Sequence, residues 1–309
     1  MSGWIFRRPG RCAPGAGRAG RPVVAAILVL VGLATSAAGA QILELDAAQG
    51  IAVTNGQVTS WTNQVGAGQV FASDFGNNPS FLVNAVHGRP AVGFNEDGPF
   101  AENQALTSHN FGTTSQELTV VLVAAPTANF GNYGGLLSTD AGPGTFDARV
   151  GFNVDQRSPS TPDFRTLNVE GAKGGDDTGV NLKTDSQPFG TFVVLTVTYS
   201  DVQAQLFVNG RPEGIRPSTP GRGGNPVALR DVRIGARSYG GEYNYFTGEI
   251  AEVQIYDTAL TAGQRRDVEL ALGAKYGIGI VPEPASVLLF AVGGIGLAGL
   301  GLRRRAPRA

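Results

Sequence analysis

The chain has 309 residues with 24 Lys+Arg against 25 Asp+Glu, and its formal net charge of −1 hides an uneven distribution. Five basic residues fall in 1–40 and four in 303–309, with no acidic residue in either, so residues 41–302 hold 15 basic against 25 acidic residues, a formal charge of −10. An acidic body excludes nucleic acid as a partner, because phosphate binding depends on clustered Lys and Arg; the only cysteine, Cys12, precedes the body, and two histidines, His87 and His109, are too few for a zinc site of N and S ligands.

The first predicted element is a signal peptide. Arg7, Arg8, Arg11, Arg18 and Arg21 stand ahead of an apolar run from Val23 to Leu33, and Ala38-Gly39-Ala40 supplies the small residues of an A-x-A site. The run is shorter than the roughly 20 apolar residues a membrane span needs. Residues 1–40 are therefore read as an export signal cut after Ala40, with the export machinery and a signal peptidase as partners.

Residues 41–278 follow as one expected domain, large enough to bury a core without disulfides. Predicted strands are Ile42–Leu45, Val58–Trp61, Ala91–Asn95, Leu118–Ala124, Leu136–Ser138, Ala148–Asn153, Arg165–Val169, Phe192–Tyr199, Gln203–Val208, Asp231–Gly235 and Gly248–Tyr256. β-branched and aromatic residues dominate them, and Gly, Pro and Asn punctuate the gaps, the pattern of an all-β sandwich or barrel. Asn209-Gly210 predicts a two-residue hairpin turn. In Gly248–Tyr256, Ala251, Val253 and Ile255 alternate with Glu252, Gln254 and Tyr256, which predicts one buried and one wet face. One helix is predicted from Thr261 to about Tyr276: Thr261 and Gln264 have capping-box spacing, Val268 and Leu272 share a face, and Gly277 stops it.

The tail repeats the theme of the N-terminus in reverse. Ala285–Leu302 is uncharged and rich in Leu, Val, Ala and Gly, long enough to span a bilayer, and Arg303, Arg304, Arg305 and Arg308 follow. Positive residues stay on the cytoplasmic side, so this helix enters from outside. With Pro282-Glu283-Pro284 just ahead of it, the segment 279–309 resembles the PEP-CTERM sorting signal. The resemblance implies an exosortase-type sorting enzyme, a transient inner-membrane anchor, and final residence at the cell surface or in the extracellular matrix. Pro282, Glu283 and Pro284 are then a substrate motif.

The body resembles the laminin G-like (concanavalin A-like) jellyroll domains of secreted bacterial proteins. The resemblance rests on Leu45-Asp46-Ala47, Val58-Thr59-Ser60-Trp61, His87-Gly88-Arg89-Pro90-Ala91-Val92-Gly93-Phe94, Leu206-Phe207-Val208-Asn209-Gly210, and Gly248–Tyr256 leading into the helix. It implies a two-sheet antiparallel jellyroll sandwich with one short C-terminal helix.

Candidate chemistry is sparse. A glycosidase needs two carboxylates flanking the scissile bond; Glu249 and Glu252 are three apart and so on opposite faces of a strand, with Glu252 expected to be solvated and Glu249 to sit in a turn. No Gly-x-Ser-x-Gly elbow or phosphate-binding loop is present. The oxygen-rich loop around Asp176, Asp177 and Asn181 is the candidate calcium site. The loop Tyr239–Phe246 is the candidate glycan contact: Tyr239, Tyr243 and Tyr245 offer flat apolar area, while Glu242 and Asn244 offer hydrogen bonds. The expected function is a non-catalytic, glycan- or exopolysaccharide-associated surface or matrix protein. A structural, protein-binding adhesin and a divergent polysaccharide hydrolase are the alternatives.

Overall fold

The structure is a computed structural model that describes residues 39–281, apart from 75, 96–102, 113, 129–132, 141–150, 157–164, 172–179, 201–202, 214–225 and 240–241. The strands in chain order begin with β1 (Gln41–Asp46), β2 (Ile51–Thr54), β3 (Gln57–Thr62), β4 (Val70–Phe71), β5 (Ser80–Val86), β6 (Arg89–Phe94) and β7 (Leu106–Ser108). The middle contributes β8 (Thr114–Ser115), β9 (Leu118–Ala128), β10 (Gly135–Asp140), β11 (Phe152–Gln156), β12 (Leu167–Gly171), β13 (Val180–Lys183) and β14 (Val193–Tyr199). The remainder are β15 (Ala204–Val208), β16 (Arg211–Glu213), β17 (Val227–Ala228), β18 (Asp231–Ile234), β19 (Ala236–Tyr239), β20 (Glu242–Tyr245) and β21 (Thr247–Tyr256), followed by helix α1 (Ala262–Tyr276).

Two antiparallel sheets hold the core between them. The first runs β16-β15-β14-β9-β21-β6-β5-β3-β2, with β1 also on β21 and β4 on β3. The second runs β13-β12-β11-β10-β18-β7, with the β19–β20 hairpin joined to β10. β9 shows why the first sheet is so apolar. Leu118, Val120, Leu122 and Ala124 face the core between the sheets, while Val121 and Val123 face the other way, into a second cluster completed by Val86, Ala91, Val194, Ala251, Leu272 and Tyr276 of α1. A strand covered on both faces has no wet side on which to place polar residues.

The predicted wet face of Gly248–Tyr256 is corrected by the same layer. Glu252 is 1% and Gln254 8% exposed, because α1 lies over them. A register shift between Ile250 and Glu252 on β9 adds a residue to β21, so Ala251 joins the helix-side cluster while Val253 and Ile255 face the core. Glu249 lies within β21, opposite Gly93, and not in a turn.

Local chemistry forms α1 as the sequence predicts. The Thr261 side chain accepts from the Gln264 backbone and Gln264 returns a bond to the Thr261 backbone, while Gly277 ends the helix in the left-handed region at φ 67°. Its underside is more polar than the predicted Val268–Leu272 stripe. Arg265 is buried, bonded to Glu269 at 2.7 Å and stacked 3.6 Å over the Phe207 ring. Lys275 Nζ reaches Asp46 Oδ2 at 2.8 Å and Glu252 Oε2 at 2.5 Å, and the Tyr276 hydroxyl donates to Glu252 Oε2 at 2.8 Å. Among the described residues no helix is long and apolar enough to cross a membrane; Ala285–Leu302 lies outside them.

Candidate functional site

The second sheet buries Phe152 and Val154 of β11, Leu167 and Val169 of β12, and Val232 and Ile234 of β18 in the core. Because side chains alternate along a strand, Asn153, Asp155, Asn168, Glu170, Asp231 and Arg233 stand on the opposite face. Register sets them in rows. Thr107 lies opposite Arg233, Arg233 opposite Ser138, Ser138 opposite Asn153, and Asn153 opposite Glu170, so one polar row crosses five strands. The row is buried: Thr107, Arg233, Ser138 and Asn153 are each at most 5% exposed.

Asn153 is the anomaly in this row. It is 0% exposed, and neither Oδ1 nor Nδ2 has a hydrogen-bond partner among the described residues. Beside it, Asn168 donates to Asp155 Oδ1 at 3.2 Å, yet its own Oδ1 accepts nothing. Buried side-chain amides are normally bonded, since leaving one unmade costs about 1–3 kcal/mol. Two neighbouring carboxamides with unused capacity set this face apart from the other buried polar side chains.

One guanidinium of the face serves two acidic side chains. Arg237, from β19, donates to Asp155 Oδ2 at 2.6 Å, lies 3.4 Å from Glu170 Oε2, and stacks 4.8 Å from the Tyr133 ring centroid. Burial pushes the Asp155 carboxyl up to about 8, against the pull of Arg237 and with the help of the neighbouring Glu170 charge. At the far side of the face, His109 bridges two carboxylates, Nε2 to Asp74 Oδ1 at 3.1 Å and Nδ1 to Asp231 Oδ2 at 3.2 Å. Asp231 lies opposite Asp140 on β10.

The residues singled out from the sequence fall partly at the margin of this face. Tyr239–Phe246 is a hairpin instead of a loop: β19 and β20 pair Ala236 with Tyr245, Arg237 with Asn244, Ser238 with Tyr243 and Tyr239 with Glu242, and Phe246 is fully buried in the core. Strand pairing wins because Tyr245 of β20 also pairs with Gly135 of β10, which makes the hairpin an extension of the second sheet. Asn244, opposite Arg237, shares its face of the hairpin; Asn244 and Tyr245 are half-buried. Asn181 is paired with Glu170, at the end of the polar row, whereas Asp176 and Asp177 lie outside the described residues. Among the described residues no group of three or more His, Cys, Asp or Glu is placed to hold a metal. Pro282, Glu283, Pro284 and Ala38 lie outside them as well, and Ala40 bonds to Asp257 through both backbone and side chain.

Sequence reasoning passed over the polar face although a signal was present. Phe152-Asn153-Val154-Asp155-Gln156 and Leu167-Asn168-Val169-Glu170 both alternate apolar with carboxamide or carboxylate residues, but the predicted strands stopped at Asn153 and Val169.

The profile of the concanavalin A-like lectin/glucanases superfamily (Laminin_G_3) matches residues 100–264, more than half of the chain, and that of the PEP-CTERM protein-sorting motif matches 281–305. No curated protein matches significantly. Among solved structures, the binding domain of Paraclostridial Mosquitocidal Protein 1 is similar at TM-score 0.51 and 11% identity, over 76% of this chain and 52% of that one. The ligand binding domain of botulinum neurotoxin serotype D, in complex with N-acetylneuraminic acid, is similar at TM-score 0.51 and 10% identity, over 75% and 50%. The chain thus spans about half the length of these structures, and at such identities the likeness is one of fold. The sorting motif fits export and a transient membrane anchor. By its sequence profile and its two-sheet architecture, this chain belongs to the concanavalin A-like lectin/glucanases superfamily.

Proposed function

We propose that the protein is a non-catalytic surface or extracellular-matrix component that holds polysaccharide on the outer face of its second sheet, after an exosortase-type enzyme has sorted it. The observation that carries this reading is the buried, unpartnered amide of Asn153 in a row of polar side chains. A glycan presents ring hydroxyls that donate and accept at once, which is what a carboxamide with two unused groups can answer. The β19–β20 hairpin at the margin adds Asn244, on the face of Arg237. The ligand of the serotype D domain, a sugar, supports the class of partner.

The test is binding of the purified exported protein to a broad polysaccharide panel. Saturable binding that falls at least tenfold in Asn153→Ala, or on the order of 1.4 kcal/mol, is the expected result. Binding unchanged in Asn153→Ala and Asn168→Ala would move the site elsewhere, and no binding would favour a structural, protein-contacting role.

One observation favours a polysaccharide hydrolase. Asp155 and Glu170 both approach Arg237 Nη1, which puts those carboxylate oxygens within about 6 Å of each other, near the spacing of retaining glycosidases. Arg237 sits between them, however, and engages the oxygens that an acid and a nucleophile would need free. Release of reducing ends from a bound polysaccharide separates the two readings.

A further inference from the structure

The sorting motif begins where the folded domain still grips the chain. After α1, Gly277–Val281 runs as a strap across the helix end. Ile278 N–H bonds to Gly273 C=O at 2.9 Å, Ile278 and Ile280 pack on the helix-side apolar cluster, and Val281 N–H bonds to Asn209 C=O at 2.8 Å. Asn209 is itself fixed: its N–H bonds to Val194 C=O and its side-chain Oδ1 accepts from Val194 N–H, each at 2.8 Å. Two glycines make room for the strap. A Cβ at Gly273 would meet Ile280 Cγ1 at 2.5 Å, and one at Gly210 would meet Ile280 Cγ2 at 2.8 Å and Val281 O at 2.9 Å. Val281 is also the first residue matched to the sorting motif, and Pro282 follows directly.

We propose that this strap is a latch that governs access of the sorting enzyme to Pro282-Glu283-Pro284; the inference rests on the sorting reading of the tail. An enzyme that reads a short peptide needs extended chain on both sides of the motif. While the latch is seated, the residue immediately before Pro282 has its N–H committed to Asn209, and the one before that has its side chain packed on the helix-side apolar cluster. On the other side, only four residue steps separate Val281 from Ala285, the first residue of the apolar segment, a reach of about 14 Å at most. On the sorting reading, processing then draws on the fraction of molecules whose strap has lifted.

The experiment follows conversion of the full chain from its longer to its shorter form, by pulse-chase in cells that carry an exosortase-type enzyme. Two variants open the latch by different routes. Gly273→Ala keeps the helix, which favours Ala over Gly, but takes the space of Ile280. A six-residue Gly/Ser spacer between Val281 and Pro282 leaves the seat intact and frees the motif. Gly273→Ala is expected to speed processing about tenfold, the factor set by loss of one hydrogen bond and its packing, and the spacer, which needs no lifting of the strap, by at least as much. Motif-dependent processing at an unchanged or lower rate in both variants overturns the latch. Processing that persists in Glu283→Ala overturns the sorting reading instead.

Discussion

Arg237 Nη1 lies 2.6 Å from Asp155 Oδ2, with the two side chains 5% and 0% exposed, so a buried guanidinium joins the hairpin β19–β20 to the middle of the polar face. The same Nη1 is 3.4 Å from Glu170 Oε2. Removing the guanidinium leaves the buried Asp155 carboxyl and the neighbouring Glu170 without the donor they share. Arg237→Ala is expected to cost about 3–5 kcal/mol of unfolding free energy, measured by urea denaturation. A loss below 1 kcal/mol, the ordinary worth of an exposed pair, would mean that the pair is not isolated from water.

Asp155 also makes stability depend on pH. Burial, the largest influence, raises its carboxyl to about 8 from an ordinary 3.8. Between those values the native state holds a proton that the unfolded chain has released, so the contribution of Asp155 is full below about pH 4 and falls as pH rises towards about 8. Melting temperature should therefore decline more steeply over that window in the wild type than in Asp155→Asn. Parallel curves would show that the carboxylate is ionised throughout.

Lys275 gives the opposite acid response on the other sheet. Burial alone would raise Asp46, but its hydrogen bond from Lys275 prevails and holds it below its ordinary value, while Lys275 is raised by its bonds to Asp46 and Glu252 in spite of burial. The Asp46 contribution is present above the ordinary carboxylate range and is lost as pH falls through its depressed value; that of Lys275 is lost as pH rises through its raised value. Lys275→Met is expected to cost about 3 kcal/mol and to move acid unfolding to higher pH. Unchanged acid unfolding would remove Lys275 as the anchor between α1 and β1.

Gly235, between β18 and β19, combines a positive φ of 86° with a side-chain position already filled by the Phe94 ring. Phe94 is fully buried and stacks at 6.2 Å on Phe246, so it has nowhere to move. Gly235→Ala should destabilise by about 2–3 kcal/mol, from strain and overpacking together. A thermal midpoint equal to the wild type would show that the corner can relax.

Local signals carried the helix and the longer strands. The Thr261–Gln264 box and Gly277 set the helix ends through bonds between residues three or four apart, and Asn209-Gly210 set its turn because both positions adopt positive φ, 51° and 77°. The helix-side layer was less legible. Glu252 reads as a polar strand position, and only Lys275 and Tyr276, more than twenty residues later, turn it into a buried one.

The sequence by itself determined the class of this protein: a sorting motif, turn residues and β-rich runs are short-range patterns that survive without knowledge of what packs on what. It also determined that the body is acidic and has no thiol chemistry, since those follow from counting. Only the tertiary structure decided where the polar face lies. Asn153 and Asp155 of β11 and Arg237 of β19 are more than eighty residues apart in the chain, and they meet because ladder register and a hairpin at the sheet end bring them together. A periodicity shows that a strand has two faces, but which face meets the core and which face meets a partner depends on the layer laid against it.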